Sequence, residues 1–286
     1  MRDGVIHGVA GVFCDPSSRG RGYASRMLNE LSMVLNGHGL DVEHEDLKRV
    51  GSVLWSDIGP KFYADLGWTP FPSNHIEVPA SRYSPGSSTV ATRAILAEDV
   101  GEFCAQDEAL LHDSMAAAST SKTLLAIVPD RHTMLWHHKK EEYICQHLFK
   151  KPPDVKGAVA GETGNRVWAI WTRGFYGPLD DPKSGNKLYI LRLVIENPNS
   201  EERGEQAEHL KAVLKVAQDD AAEWTLDHVE LWNPDEKLRE LIGRTGIEYR
   251  MVERDNESIP SLLLFGDVSI GQDNVEWIAN EKFAWC

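Results

Sequence analysis

The sequence predicts a mixed α/β fold, and three observations predict it. Strand-like and helix-like segments alternate along the whole chain, as a layered α/β protein requires. Near the start, the apolar run Val9-Ala10-Gly11-Val12-Phe13-Cys14 enters a Gly- and Arg-rich loop that opens a helix. At 286 residues, with 42% hydrophobic and 26% charged content, the chain is large enough to bury a sizeable core.

The run from Val9 to Cys14 has the length and composition of a buried strand. After it come Asp15-Pro16-Ser17-Ser18-Arg19-Gly20-Arg21-Gly22-Tyr23-Ala24. Ala24, Met27, Leu28, Leu31, Val34 and Leu35 then recur at helical spacing, and Asn36-Gly37 supplies a stop. Residues 38–50 read as a polar connection, and Val53-Leu54-Trp55 as a short buried strand. A helix beginning at about Ile58 or Gly59 carries Phe62, Tyr63 and Leu66 on one face, with Pro60 in its first turn. Gly67 stands where a left-handed cap is wanted. Residues 71–78 continue into another strand. Residues 79–88, rich in Ser, Pro and Gly, have a linker's composition, and a domain boundary is expected there.

The strand–loop–helix at the start carries the clearest chemistry. It aims backbone N–H groups and a helix N-terminus at one spot, a recipe for gripping a phosphate or pyrophosphate. Gly20 and Gly22 let the backbone approach the anion closely. Residues 15–26 hold Arg19, Arg21 and Arg26 against Asp15 alone, while the whole chain carries −14. The overall charge argues against general nucleic-acid binding or attraction to an anionic membrane. No apolar run approaches membrane-spanning length. The four cysteines are scattered without a CxxC pair, so neither a disulfide framework nor a zinc site is expected, and an intracellular, cytoplasmic setting is.

This stretch resembles motif A of the GNAT acetyltransferase superfamily: Arg or Gln, two residues, Gly, one residue, then Gly or Ala. Arg19, Gly22 and Ala24 fill those places. The resemblance implies a loop that holds the pyrophosphate of acetyl-CoA through Arg19, Gly20, Arg21, Gly22, Tyr23 and Ala24. It also implies that backbone groups at Phe13 and Cys14 meet the pantetheine and the acetyl carbonyl. Phe62-Tyr63 and Gly67-Trp68 match the family's motif B, where the Tyr is in many members the acid that protonates the departing thiolate. That role falls on Tyr63. Ser56 stands where the family often has an Asn that hydrogen-bonds the coenzyme.

A narrower likeness covers most of the chain. Val53 to Asp57, Lys61-Phe62-Tyr63, Gly67 to Ile76, Leu135 to His138, Val167 to Arg173 and Leu188 to Val194 resemble fungal lysine N-acetyltransferases of the lysine-catabolic type. The resemblance implies a small-molecule amine acceptor, foremost the side-chain amine of free lysine. The alternative is a non-catalytic acetyl-CoA-binding or interaction protein derived from such an enzyme.

The second half repeats the superfamily's order of elements. Strands are expected at residues 89–95, 157–160, 167–171, 188–195, 229–232, 247–252 and 261–265. Helices are expected from Ala97, across Trp136 to Leu148, after Ser200, and after the cap Asn233-Pro234-Asp235-Glu236. The strand ending at Ile195, however, enters Glu196-Asn197-Pro198-Asn199-Ser200-Glu201-Glu202, whose acids would repel a pyrophosphate. Residues 89–286 are thus expected to form a degenerate, non-catalytic GNAT-like module. Residues 1–78 are expected to be a module lacking the strands and helices that normally precede motif A, with self-association through Val5 to Phe13 as a consequence. Arg173 and Arg192 either meet an amino-acid carboxylate or pair with structural acids. His137, His138 and His147 lack a compact ligand spacing, and packing or surface roles are expected. His7 and Asp57 are candidate bases, and His75 either lines the acceptor cleft or belongs to the core.

Overall fold

The computed structural model describes residues 3–37, 48–82, 90–181, 184–266 and 274–285. The first half begins with β1 (Gly4–Gly8), α1 (Tyr23–Gly37) and β2 (Lys48–Ser56). The one-turn helix α2 (Lys61–Ala64), β3 (Thr69–Pro70) and β4 (Asn74–Pro79) follow. Next come β5 (Thr92–Leu96), α3 (Val100–Ala117), β6 (Thr123–Ala126), α4 (Arg131–Phe149), β7 (Val155–Ala160) and β8 (Val167–Gly174). The last third holds β9 (Lys187–Ile195), α5 (Arg203–Glu223), β10 (His228–Trp232), α6 (Glu236–Thr245), β11 (Arg250–Glu253), β12 (Ile259–Leu264) and β13 (Val275–Ile278).

The strands form a four-stranded sheet in the order β1-β2-β12-β3 and a seven-stranded sheet in the order β11-β4-β10-β9-β8-β7-β5, with β6 and β13 paired apart. Two pairs are parallel and joined by a helix: β1 and β2 across α1, and β9 and β10 across α5. The other neighbours within the two larger sheets are antiparallel. In the small sheet β13 runs parallel to β6.

The sheets do not divide at residues 79–88. β4, from the first 78 residues, lies between β11 and β10, and β12 returns from residue 259 to pair with β2 from Ile259–Ser56 to Leu264–Gly51. Most of the expected linker, residues 83–88, lies outside the described residues, as do 38–47 of the expected polar connection.

α5 packs on one face of the large sheet with Leu210, Val213, Leu214 and Ala217, all within 1% of full burial, as its apolar stripe predicts. The opposite face carries α3 and β13, with Phe103, Trp168, Leu191 and Trp277 between them. Charges are buried in both layers, and two clusters of them are paired. The Glu141 carboxylate accepts from Lys156 Nζ at 2.9 Å and from Arg173 Nη1 at 2.7 Å, and Arg173 also grips Asp220. Arg192 forks onto Asp107 at 2.7 and 2.8 Å and onto Glu281. Both arginines are therefore tied to structural acids, which settles the two readings of Arg173 and Arg192. His137 and His138 are core residues. Each donates from Nε2 to a carbonyl, of Phe283 at 2.9 Å and of Trp171 at 3.1 Å.

Candidate active site

The loop that opens α1 is positioned by β1. β1 is shorter and earlier than its sequence suggests, ending at Gly8 rather than running through Cys14. Only Val9 continues toward β2, donating to the Val53 carbonyl at 2.8 Å. From Ala10 to Cys14 the chain has left the ladder. Gly11 at φ +64° makes the turn, and Phe13 is 73% exposed. The parallel pair thus opens at its C-terminal end.

Asp15 then accepts from Ser17 N at 2.9 Å and holds a single 3-10 turn over Pro16–Ser18. A bond from the Ser17 hydroxyl, and then the one from Ser17 N, keep the Asp15 carboxyl below its ordinary pKa. Arg19 folds back and donates from Nε to the Cys14 carbonyl at 3.1 Å. Gly20 and Gly22 follow at φ +73° and +78°, and no atom lies within 4 Å of where either would carry a Cβ. Space on both glycines is open, and both adopt the left-handed region that glycine occupies without strain. α1 starts at Tyr23, and Arg26 N reaches the Gly22 carbonyl at 3.0 Å. Arg19, Arg21 and Tyr23 are exposed, and Ala24 half-buried, along one rim.

Tyr63 sits beside this loop. It is 8% exposed and shares a cluster with Leu28 of α1, Leu54 of β2 and Trp68; Val9 and Val12, which lead into the loop, pack against that cluster. Its ring meets Phe62 and Trp68 edge-on, at 5.0 and 6.5 Å between centroids. Burial, and then the Asp57 carboxylate, push the Tyr63 phenol above its ordinary pKa, so it holds its proton at neutral pH. The α2 helix begins two residues later than expected. Gly67, at φ +99°, closes it as foreseen, with Trp68 N bonded to the Tyr63 carbonyl at 3.0 Å.

Ser56 is 1% exposed, and its hydroxyl donates to the Gly59 carbonyl at 2.6 Å while accepting from Ile58 N at 3.3 Å. The side chain braces its own turn. Asp57 Oδ1 accepts from Ser258 N at 2.9 Å. Burial, then Arg49, lower the pKa of His7 and keep its imidazole neutral.

His75 lies in a cluster the sequence did not reveal. Its Nε2 is 3.0 Å from Glu77 Oε1 and 3.7 Å from Glu230 Oε2, with His228 Nε2 3.4 Å from the same Glu230 oxygen. The three ligand atoms of His75, Glu77 and Glu230 could enclose a cation. Lys187 Nζ, 2.9 Å from Glu230, and Arg250 on Glu77 already balance those carboxylates. A second unforeseen feature is Lys282, 4% exposed, with its Nζ 3.6 Å from the ring centre of Trp285, 4.3 Å from Trp232 and 4.7 Å from Tyr189. Burial drives its pKa well below that of an ordinary lysine. Strand register brings Tyr189 and Trp232 together, and no sequence spacing announces it.

A parallel strand pair that opens onto a Gly/Arg loop and a helix N-terminus, with a protonated phenol alongside, defines an acyltransferase of the GNAT class. The sequence model of the family described as "LYC1 GNAT-like C-terminal domain" matches residues 75–286, most of the chain, and the chain belongs to that family. It is 20% identical over 328 residues to a protein named lysine acetyltransferase from Yarrowia lipolytica, across 97% of this chain and 77% of that one. Among solved structures it resembles a glucosamine N-acetyltransferase region of a fungal multi-domain β-N-acetylglucosaminidase, with TM-score 0.51, 12% identity, and 90% of this chain matched to 30% of that one. It also resembles Eis1 from Mycobacterium abscessus, with TM-score 0.43, 14% identity, and 91% of this chain matched to 56% of that one. The chain thus spans between about a third and just over half of those two solved chains. No described helix is long and apolar enough to cross a membrane.

Proposed function

We propose that this protein transfers an acetyl group from acetyl-CoA to a primary amine, with the side-chain amine of free lysine as the acceptor. One observation supports the reading: Val9 and Val12, which lead into the Arg19–Gly22 loop, pack against the cluster that holds Tyr63.

In this reading the pyrophosphate rests on the N–H groups of residues 20–24, with Arg19 and Arg21 beside it. The backbone at Phe13 and Cys14, free of the β ladder, faces the pantetheine and the acetyl carbonyl. The neutral amine attacks that carbonyl, the C–N bond forms and the C–S bond breaks. Tyr63 gives its proton to the departing thiolate, a transfer suited to a phenol kept protonated by burial. The ammonium proton leaves to a base, for which Asp57, whose charge acts on Tyr63, is the leading group. Lysine as acceptor is supported by the relative's name and by the residues matched across 97% of the chain. The β9–α5–β10–α6 order, repeating β1–α1–β2–α2, supports a second, non-catalytic module of the same kind.

Calorimetric titration with acetyl-CoA, followed by thiol release measured with and without lysine, tests the proposal. Saturable binding and lysine-dependent release support it. Binding without release under any amine replaces it with a coenzyme-binding role.

A further inference from the structure

Two buried basic side chains stand side by side without an acid. Lys282 is 4% exposed and Arg254 7%. Among the described residues neither has a carboxylate within ion-pair distance. Lys282 Nζ meets the ring faces of Trp285, Trp232 and Tyr189. Arg254 lies against the same Trp232, with Cζ 4.1 Å from the ring centre. Its terminal nitrogens donate to the Asn74 carbonyl at 2.7 Å and to Asn233 Oδ1 at 3.3 Å, and its Nε has no partner. A ring face repays only part of the cost of burying a cation.

The acids around this pair are engaged elsewhere. Glu230 and Asp57 act on Lys282, together with the cations Lys140 and Arg254. Glu230 already accepts from Lys187 Nζ at 2.9 Å and from the Trp232 indole at 2.5 Å. Asp57 accepts from Ser258 N at 2.9 Å. Glu253 and Glu257, whose charges reach Arg254, are exposed to water. Burial lowers the Lys282 pKa, and a carboxylate set against Nζ would act in the opposite direction and hold the ammonium charged.

The cage lies one ring below the surface. The Tyr189 hydroxyl meets that of Tyr176 at 3.2 Å, and Tyr176 is 59% exposed. The Asp57 carboxylate acts on Tyr176 and Lys282, and also on Tyr63. Asp57 is thus near both the acid of the proposed reaction and the cage. Such a row suits a molecule with an amine at one end and a carboxylate at the other. The carboxylate role that the sequence offered to Arg173 and Arg192 passes to a lysine that no spacing singles out.

We infer that the Lys282 cage is the carboxylate subsite of the acceptor, holding the acid end of an amino acid whose side-chain amine points toward Asp57 and Tyr63. The identity of the ligand rests on the acetyl-transfer reading, and the demand for an anion rests on the cage.

Calorimetry on the full chain, with saturating coenzyme A and without it, compares L-lysine and ε-aminocaproate with cadaverine, which has the amines but no carboxylate. Both carboxylates should bind saturably and ~10-fold or more tighter than cadaverine. Lys282→Met keeps the packing of the stem and removes the ammonium. It should weaken both carboxylates ~10-fold or more and leave cadaverine unchanged. The comparison of ligands on the parent chain needs no variant, so the test holds if Lys282→Met does not fold. Equal binding of all three probes overturns the inference. So does the lack of saturable carboxylate binding under either condition, or a preference that survives in folded Lys282→Met. Thiol release from acetyl-CoA reads the reaction separately. Lysine-dependent release indifferent to Lys282→Met keeps the transfer and removes this subsite. Carboxylate binding that requires Lys282 but brings no release with any amine keeps the subsite and sinks the transfer.

Discussion

Arg19 Nε donates to the Cys14 carbonyl at 3.1 Å, so the residue that opens the glycine loop also fastens the extended segment between β1 and that loop. That bond couples the anion cradle to the segment proposed to face the acetyl group. Arg19→Lys keeps the charge but replaces a planar donor with a flexible ammonium. Acetyl-CoA affinity should fall ~10-fold or more, and with a steeper loss in turnover than in affinity if the Cys14 segment shifts. Affinity and turnover equal to the parent would show that the bond fixes nothing the ligand uses.

Gly22→Asp should abolish acetyl-CoA binding. The position is left-handed, at φ +78°, and the substitution adds strain of about 1 kcal/mol together with a negative charge where the pyrophosphate is proposed to rest. Because no atom lies within 4 Å of the Cβ position, the fold should tolerate the change. Calorimetry on a variant with unchanged circular dichroism reads the outcome, and undiminished affinity would remove the loop from the site.

Tyr63→Phe keeps the edge-on contacts with Phe62 and Trp68 and removes only the proton. Turnover should drop by roughly 10²-fold with the KM for acetyl-CoA little changed. Parental turnover would return Tyr63 to a packing role.

Trp68 is fully buried, and its indole N–H donates to Ser52 Oγ at 3.2 Å, joining α2 to β2. Trp68→Ala should cost about 3–5 kcal/mol of stability, read from urea denaturation. A loss under 1 kcal/mol would mean that this corner of the fold collapses around the cavity.

Acid should destabilise the protein well before its carboxylates titrate. Burial lowers His138 to about 4 and His137 to about 3, so both stay neutral in the fold while the unfolded chain takes up protons from about pH 6.5 downward. The unfolded state then binds more protons, and stability falls as pH drops from 6.5 toward 4, by about 1.4 kcal/mol per pH unit for each histidine. Below the folded values the loss from these two groups stops. His138→Gln, which retains a donor for the Trp171 carbonyl, should flatten that arm of the stability profile. An unchanged slope between pH 6.5 and 4 would contradict the assignment.

Much of the architecture was legible in the chain itself. Local signals decided the Gly/Arg loop, the span of α1 to Gly37, the Gly67 cap and the stripe of α5, because each depends on residues within a few positions of one another. They also gave the family, since motif spacing is a local property. The end of β1 was misjudged because an apolar run does not say where a strand leaves its partner, and that is settled by Val53 receiving the last bond from Val9. Pairings between distant segments were beyond the sequence for the same reason. Only the tertiary structure placed β12 beside β2 and β4 inside the larger sheet. It alone tied Arg192 to Asp107 and Glu281, 85 and 89 residues away in the chain. It alone caged Lys282 among Tyr189, Trp232 and Trp285. Side chains so far apart in sequence meet only when sheet register brings them together, and a buried charge then costs free energy unless an acid, a carbonyl or a ring face lies against it.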